Sequence, residues 1–240
     1  MKTTIIAEIG LNHNGNMEMA KCLIDEAHRA GADIAKFQFF DISEYFGPEF
    51  EWYEECMKAR IDYDKAEMLR DHCNKVGIEF MSSVFNLQGV EWAEKLGMKR
   101  YKIASRCIGQ QDLFDAVGET GKDMIVSLGM WKDANPTALP TYIKSKGKVD
   151  FLYCVAKYPT MPEDVDFDKI DFKDKYSGFS DHTIGMNAPL IAVARGARIL
   201  EKHFTLNKKM HGPDHQGSME PSELRQLVKS AREFEEFMSK

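Results

Sequence analysis

The chain has 240 residues, 43% of them hydrophobic, and a formal net charge of −6 with acidic and basic residues interspersed. That length closes one α/β domain with short loops and leaves little for a second, and the diffuse acidic balance excludes nucleic acid as the main partner, because phosphate-backbone binding needs a concentrated basic face. Five cysteines (Cys22, Cys56, Cys73, Cys107 and Cys154), odd in number and without CxxC spacing, exclude a disulfide framework and a thiolate zinc site, and no run has signal or membrane-spanning length; a cytoplasmic setting with no membrane contact is expected.

In chain order, Thr3–Ile9 is strand-like, and Met17–Ala30 is an amphipathic helix opened by Asn16 and stopped by Gly31. Strand Asp33–Phe37 follows, then an irregular aromatic-rich stretch from Asp41 to Arg60, helix Tyr63–Val76 with Gly77 as its stop, and strand Ile78–Met81. The alternation continues with helix Gln88–Leu96, strand Arg100–Ile103, helix Gln110–Gly118, strand Met124–Ser127, helix Ala138–Lys146 and strand Val149–Tyr153. Pro162–Phe172 is read as a helix, followed by strand Tyr176–Phe179, helix Asn187–Arg195, strand Arg198–Glu201 and helix Pro221–Met238. Eight β/α pairs predict an α/β fold of the (β/α)8 TIM-barrel type, a single domain over residues 1–240. A doubly wound open sheet is the main rival, but the turn Gly10-Leu11-Asn12-His13-Asn14-Gly15 lacks its GxGxxG spacing.

Polar residues recur where the strands end, which is where such a barrel builds an active site. Glu8 and the Asn12-His13-Asn14-Gly15 cluster follow strand one; Lys36-Phe37-Gln38 ends strand two, where a lysine can meet an anion or simply snorkel to the surface. Met81-Ser82-Ser83, Tyr101-Lys102-Ile103-Ala104-Ser105 and Val126-Ser127-Leu128-Gly129 offer hydroxyls and a lysine suited to phosphate or carboxylate, though a serine alone is equally an N-cap or turn former. Strand six leads to Lys157-Tyr158-Pro159-Thr160, with Tyr158 either packing or touching substrate. Strands seven and eight bring His182 and His203 with Asp181 and Glu201 as orienting groups; imidazoles beside oxygen ligands suit manganese, iron, zinc or cobalt better than calcium. His211-Gly212-Pro213-Asp214-His215 adds an acid and two further histidines that solvent could equally explain.

Taken together and in this order, Ala7-Glu8-Ile9-Gly10 with Asn12-His13-Asn14-Gly15, Lys36-Phe37-Gln38, Tyr101-Lys102-Ile103, Phe179-Ser180-Asp181-His182-Thr183, Glu201-Lys202-His203-Phe204-Thr205 and Gly212-Pro213-Asp214 resemble the N-acetylneuraminate (sialic acid) synthase family over nearly the whole chain. The resemblance implies a barrel that condenses phosphoenolpyruvate with an aldehyde sugar, releases phosphate, and uses a divalent metal, manganese first, with magnesium, cobalt or iron as alternatives. It implies His182 and His203 as metal ligands; Lys36, Lys102, Ser105, Ser127 and Ser180 as phosphoenolpyruvate-binding; Glu8, His182 and Tyr158 as catalytic; and Gln38 and Asp214 as acceptor-binding, to which this chain adds its own Arg106 and Lys157.

The chain departs from that pattern at three places. Sialic acid-forming members carry a C-terminal antifreeze-like domain reaching a neighbouring subunit's sugar site, whereas this sequence ends after its last helix. The family's glutamate after the fourth-strand lysine is replaced within Ser105-Arg106-Cys107, and its asparagine before the sixth-strand tyrosine is Ala156, followed by Lys157. The departures fall on acceptor positions, so the expected acceptor is not N-acetylmannosamine; Arg106 and Lys157, if they face the mouth and are not solvated loop charges, favour one carrying phosphate or carboxylate. A homodimer, or a separate partner completing the site, is compatible with the resemblance. A metal-dependent sugar-phosphate isomerase or aldolase, and a non-catalytic ligand-binding relative, remain as alternatives.

Overall fold

The computed structural model describes residues 2–133, 135–139 and 145–238. Its eight parallel strands are β1 (Thr4–Glu8), β2 (Ile34–Phe39), β3 (Glu79–Val84), β4 (Arg100–Ile103), β5 (Asp123–Ser127), β6 (Val149–Cys154), β7 (Gly178–Asp181) and β8 (Ile199–His203). They close in chain order, β8 returning to β1 in a register that runs from Thr4 opposite Ile199 to Glu8 opposite His203. The fold is the predicted (β/α)8 barrel. Strand residues such as Ile5, Ile6, Ala35 and Val126 are fully buried, as parallel strands covered by helices require. Glycine is needed where β7 meets β8: a β-carbon on Gly178 would stand 2.0 Å from the Ile199 carbonyl oxygen.

Around the barrel run α1 (Met17–Ala30), α2 (Tyr53–Lys58), α3 (Tyr63–Val76), α4 (Leu87–Lys95), α5 (Gln111–Glu119), α6 (Asn187–Ala194) and α7 (Pro221–Met238), the last packed against α1. Local chemistry sets their ends. Asn16 accepts from the Glu18 and Met19 amides, Gly31 ends α1 in the left-handed conformation, and Ala20, Leu23, Ile24 and Ala27 bury the face between. Among the described residues no helix is long and apolar enough to cross a membrane.

Three expectations differ from the structure. Pro162–Phe172 holds two 3-10 turns, Pro162–Asp164 and Phe167–Lys169, because Asp164 and Asp166 take the Met161 and Asp168 amides and so compete with helix propagation. The stretch 41–60 contains α2 and a 3-10 turn at Ile42–Glu44. Strands β2, β3, β6, β7 and β8 run one to three residues past their expected ends; on β3 the added residues include Ser83, whose hydroxyl accepts from Lys36 of β2. Of the expected helix 138–146, residues 140–144 lie outside the described residues, and Pro136–Ala138 before them is a 3-10 turn capped by Asn135.

Candidate active site

The polar strand ends converge on the C-terminal mouth of the barrel. Parallel pairing sets Glu8 beside Lys36, Ser83 beside Lys102, Ser180 beside Glu201 and Glu8 beside His203. Lys36 Nζ is 2.6 Å from Glu8 Oε2, donates to Ser83 Oγ at 2.8 Å, and lies 3.5 Å from Glu201 Oε2. Lys102 Nζ donates to Ser127 Oγ at 2.8 Å and lies 3.5 Å from Glu201 Oε1, which accepts the Ser180 hydroxyl at 2.8 Å. All four charged groups are buried. Ser105, at the end of β4, donates its hydroxyl to the Ser127 carbonyl and accepts the Gly129 amide at 2.9 Å. The residues read as phosphoenolpyruvate-binding thus share one polar cluster.

Charge in this cluster is nearly balanced, and burial decides the rest. Burial pushes the Glu8 carboxyl up; Lys36 pulls it back, Glu201 pushes again, and the outcome lies above the ordinary 4.5. Glu201 is also pushed up by burial, but Lys102 and Lys36 pull harder and bring it down to about 2. Lys36 is depressed by burial yet raised overall by its two carboxylates, whereas burial wins at Lys102, which lies below the usual lysine value. The two carboxyls are therefore pushed apart, Glu8 up and Glu201 down, the separation that acid and base work uses, while both Glu8 oxygens face donors, Gln38 Nε2 and Lys36 Nζ.

His182 and His203 stand side by side with ring centroids 5.7 Å apart. His182 directs Nδ1 to the Val155 carbonyl at 2.8 Å; since a carbonyl only accepts, Nδ1 carries the proton and Nε2 keeps its lone pair. Burial first, then His203, lowers His182 to about 3, so it is neutral at physiological pH. Buried His203 Nδ1 has no hydrogen-bond partner among the described residues and lies 3.8 Å from Asp214 Oδ2. Tyr158, two-thirds exposed, covers the pair, its ring 4.0 Å from His182 and 6.1 Å from His203. Two neutral-capable imidazoles, one fixed by its carbonyl and one with an unpartnered nitrogen, suit a borderline divalent ion. Among the described residues no three His, Cys, Asp or Glu side chains converge as a ready-made cage, so such an ion would draw its further ligands from substrate or water.

Gln38 donates to Glu8 Oε1 at 2.6 Å, and a β-carbon on Gly10 would stand 3.2 Å from each of those atoms and 3.6 Å from Asp214 Oδ2. Glu8, Gln38 and Asp214 therefore crowd one point at the end of β1. Beside it, Tyr158, Pro159, Ile184, His203, Pro213 and Asp214 line a cavity of about 170 Å³. A larger hollow of about 330 Å³ near Arg70, Glu79 and Lys99 opens at the opposite end of β3 and β4, away from this cluster.

The loop cations behave differently from each other. Arg106 lies exposed on a 3-10 turn after β4, its guanidinium 5.4 Å from the Tyr45 ring centre and 5.1 Å from that of Phe46. Lys157 is engaged by Asp164 at 2.7 Å on its own loop. Asp181 does not orient either histidine: strand alternation turns it to the helix side, where it holds buried Lys202 at 2.6 Å and the Thr183 amide. Sequence reasoning treated Glu201 as an accessory to the histidines, whereas it bridges both lysines, and it passed over Ser83 as a ligand of Lys36. Period-two alternation from His203 back to Glu201 was the available signal for the first.

The NeuB family model matches residues 23–240. An N,N'-diacetyllegionaminic acid synthase of Legionella pneumophila is 36% identical over 98% of this chain and 73% of its own length. The human N-acetylneuraminate-9-phosphate synthase is 33% identical over 95% of this chain and 69% of its own. The crystal structure of an N-acetylneuraminic acid synthetase from Leptospira borgpetersenii, in complex with citrate, covers 100% of this chain and 86% of its own with a TM-score of 0.93 and 32% identity.

Proposed function

This chain belongs to the NeuB family, and we propose that it condenses phosphoenolpyruvate with an aldehyde sugar to give a 3-deoxy-2-keto sugar acid of the nonulosonic type, releasing phosphate. The observation that carries the reading is the pair of buried lysines, Lys36 and Lys102, held by serines and carboxylates at one barrel mouth beside two histidines. A trianionic ligand needs two such cations with hydroxyl donors around them, and Ser105, Ser127 and Ser180 supply those. The relatives named as acid synthases support the same class of product.

Chemically, C3 of the enol forms a bond to the aldehyde carbon, and the aldehyde oxygen takes a proton. Water adds to C2 and gives up one proton; the resulting C2 hydroxyl then loses its own proton as the bond from C2 to the phosphate oxygen breaks, leaving the ketone, and the departing phosphate carries that proton away. Glu8, buried at the end of β1 between Lys36 and Gln38, is placed to move a proton at these carbons; Lys36 and Lys102 hold the phosphate and carboxylate; Tyr158 lies over His182 at the mouth. His182 and His203 would hold a divalent ion, manganese or else magnesium, cobalt or iron, which when bound supplies Lewis acidity to an acceptor oxygen. Gln38 and Asp214 meet acceptor hydroxyls beside Glu8. Arg106, displayed on the Tyr45 and Phe46 rings, favours an acceptor bearing phosphate or carboxylate over neutral N-acetylmannosamine; Lys157, engaged by Asp164, carries less of this preference.

The test is phosphate release by manganese-loaded protein given phosphoenolpyruvate and a panel of neutral and acidic aldoses, with His182→Ala as the blank. Release that depends on an acidic aldose and vanishes in the variant is expected. Turnover without phosphoenolpyruvate would instead identify an isomerase or aldolase, and faster turnover of N-acetylmannosamine than of every acidic aldose would overturn the acceptor assignment.

A further inference from the structure

The turn after β1 and the loop between β8 and α7 are locked together by buried hydrogen bonds that the chemistry above does not use. Asn12 donates from Nδ2 to the Phe204 carbonyl at 2.9 Å and to Ser218 Oγ at 2.8 Å, and the Ser218 hydroxyl donates to the Asp214 carbonyl at 2.7 Å. A second attachment lies on the other side. His215 sets Nδ1 2.7 Å from Thr205 Oγ1 and Nε2 3.2 Å from Asn14 Oδ1, while Asn14 Nδ2 donates to the His211 carbonyl at 3.0 Å. That last bond fixes the amide, so Asn14 Oδ1 must accept, Nε2 of His215 donates, and Nδ1 of the neutral ring accepts the Thr205 hydroxyl. Asn12, Thr205, His215 and Ser218 are each at most 2% exposed.

Gly212 makes the tight approach feasible: its φ is +148° and a β-carbon there would stand 2.8 Å from the His215 ring. Outside the lock, the His211 ring packs at a tilt against Trp52 with centroids 5.2 Å apart and contacts Glu55 Oε1 at 3.0 Å, tying the same loop to the segment after β2. Between the two attachments sits Asp214, its carboxylate turned to His203 and the end of β1. None of these bonds touches Lys36, Lys102, Ser127 or Ser180.

We propose that Asn12, Asn14, His215 and Ser218 are positioning residues for the acceptor half of the site, holding the Asp214 carboxylate where the sugar must meet it while leaving the phosphoenolpyruvate half untouched. The inference rests on the reading of Asp214 as an acceptor contact. Ser218→Ala removes the bridging hydroxyl, Ser218→Thr returns it, and Asn14→Gly keeps the positive φ of +50° while removing the amide from the other end of the lock. Each deletion variant loses two such bonds, which should raise the acceptor KM at least about tenfold and leave the phosphoenolpyruvate KM nearly unchanged. Hydrogen exchange of residues 211–218 should quicken in the two deletion variants and recover in Ser218→Thr, and Ser218→Ala combined with Asp214→Asn should be no worse than Asp214→Asn alone.

A rise in both KM values together, no rise in either, or additivity with Asp214→Asn would overturn the positioning role. A wild-type protein that releases no phosphate with any aldose fails the proposed activity itself. The lock then stands or falls on exchange alone, and unchanged exchange in both deletion variants refutes it. Should Ser218→Ala not fold, Asn14→Gly, at the less buried end, carries both readouts.

Discussion

Glu201→Gln removes one negative charge from between two buried ammonium groups while keeping the side chain's shape. Glu201 lies 3.5 Å from Lys36 Nζ through one oxygen and 3.5 Å from Lys102 Nζ through the other, which also accepts the Ser180 hydroxyl. Removing one partner of a buried ion pair costs about 3–5 kcal/mol. Glutamine can retain the Ser180 bond, so the lower end applies, about 3 kcal/mol, which in a chain of this size lowers Tm by about 6–12 °C. The pH dependence has a definite sign: Glu201 is depressed to about 2 in the folded chain, so its contribution is present above the ordinary carboxylate value and is lost as pH falls from 4.5 toward 2. The gap between wild type and variant should close over that window. Phosphoenolpyruvate should raise Tm more in the variant than in the wild type, because the anion then meets two lysines with one fewer competing carboxylate. Calorimetry with and without phosphoenolpyruvate reads all of this. A variant melting within about 2 °C of wild type, or equal stabilisation of both by phosphoenolpyruvate, would refute the view that Glu201 holds the lysines.

Gly178→Ala should give no folded protein, since the added carbon meets the Ile199 carbonyl oxygen at 2.0 Å and neither backbone can yield without opening β7 from β8; soluble expression with native circular dichroism would contradict this. His13 is lowered to about 4 by burial and then by Lys65, so the fold keeps it neutral and loses that contribution as pH falls from 6.5 toward 4. His13→Asn, which keeps an acceptor for the Gly15 amide, should flatten the acid limb of stability by about 1.4 kcal/mol per pH unit, and equal slopes in denaturant titrations at several pH values would count against it. Arg106→Ala should cost about tenfold in kcat/KM for acidic aldoses relative to neutral ones, the worth of one charge-assisted hydrogen bond; an unchanged ratio would remove Arg106 from the acceptor site.

Much of the barrel was legible along the chain because its signals are local. The Asn16 cap, the apolar spacing of Leu23, Ile24 and Ala27, and the stop at Gly31 specify α1 from adjacent residues alone, and the run of polar strand ends places the chemistry at one face. The motifs around Glu8, Lys36, Lys102, His182 and His203 were sufficient to suggest the family before any partner was visible. Pairing was not legible. Asp181 and Glu201 look equivalent in sequence, each one or two residues before a histidine, yet strand alternation sends one to Lys202 on the helix side and the other between Lys36 and Lys102. Lys157 and Arg106 read alike as loop cations, and only their partners separate them, Asp164 for the one and the Tyr45 and Phe46 rings for the other. The lock of Asn12 and Asn14 on Ser218 and His215 spans some 200 residues, with Asn12 bonding a side chain 206 positions away, so only barrel closure brings its halves together. Capping and periodicity act over a few residues and are written in the chain; the partner of a buried charge is set by register and closure, which exist only once β8 has paired with β1.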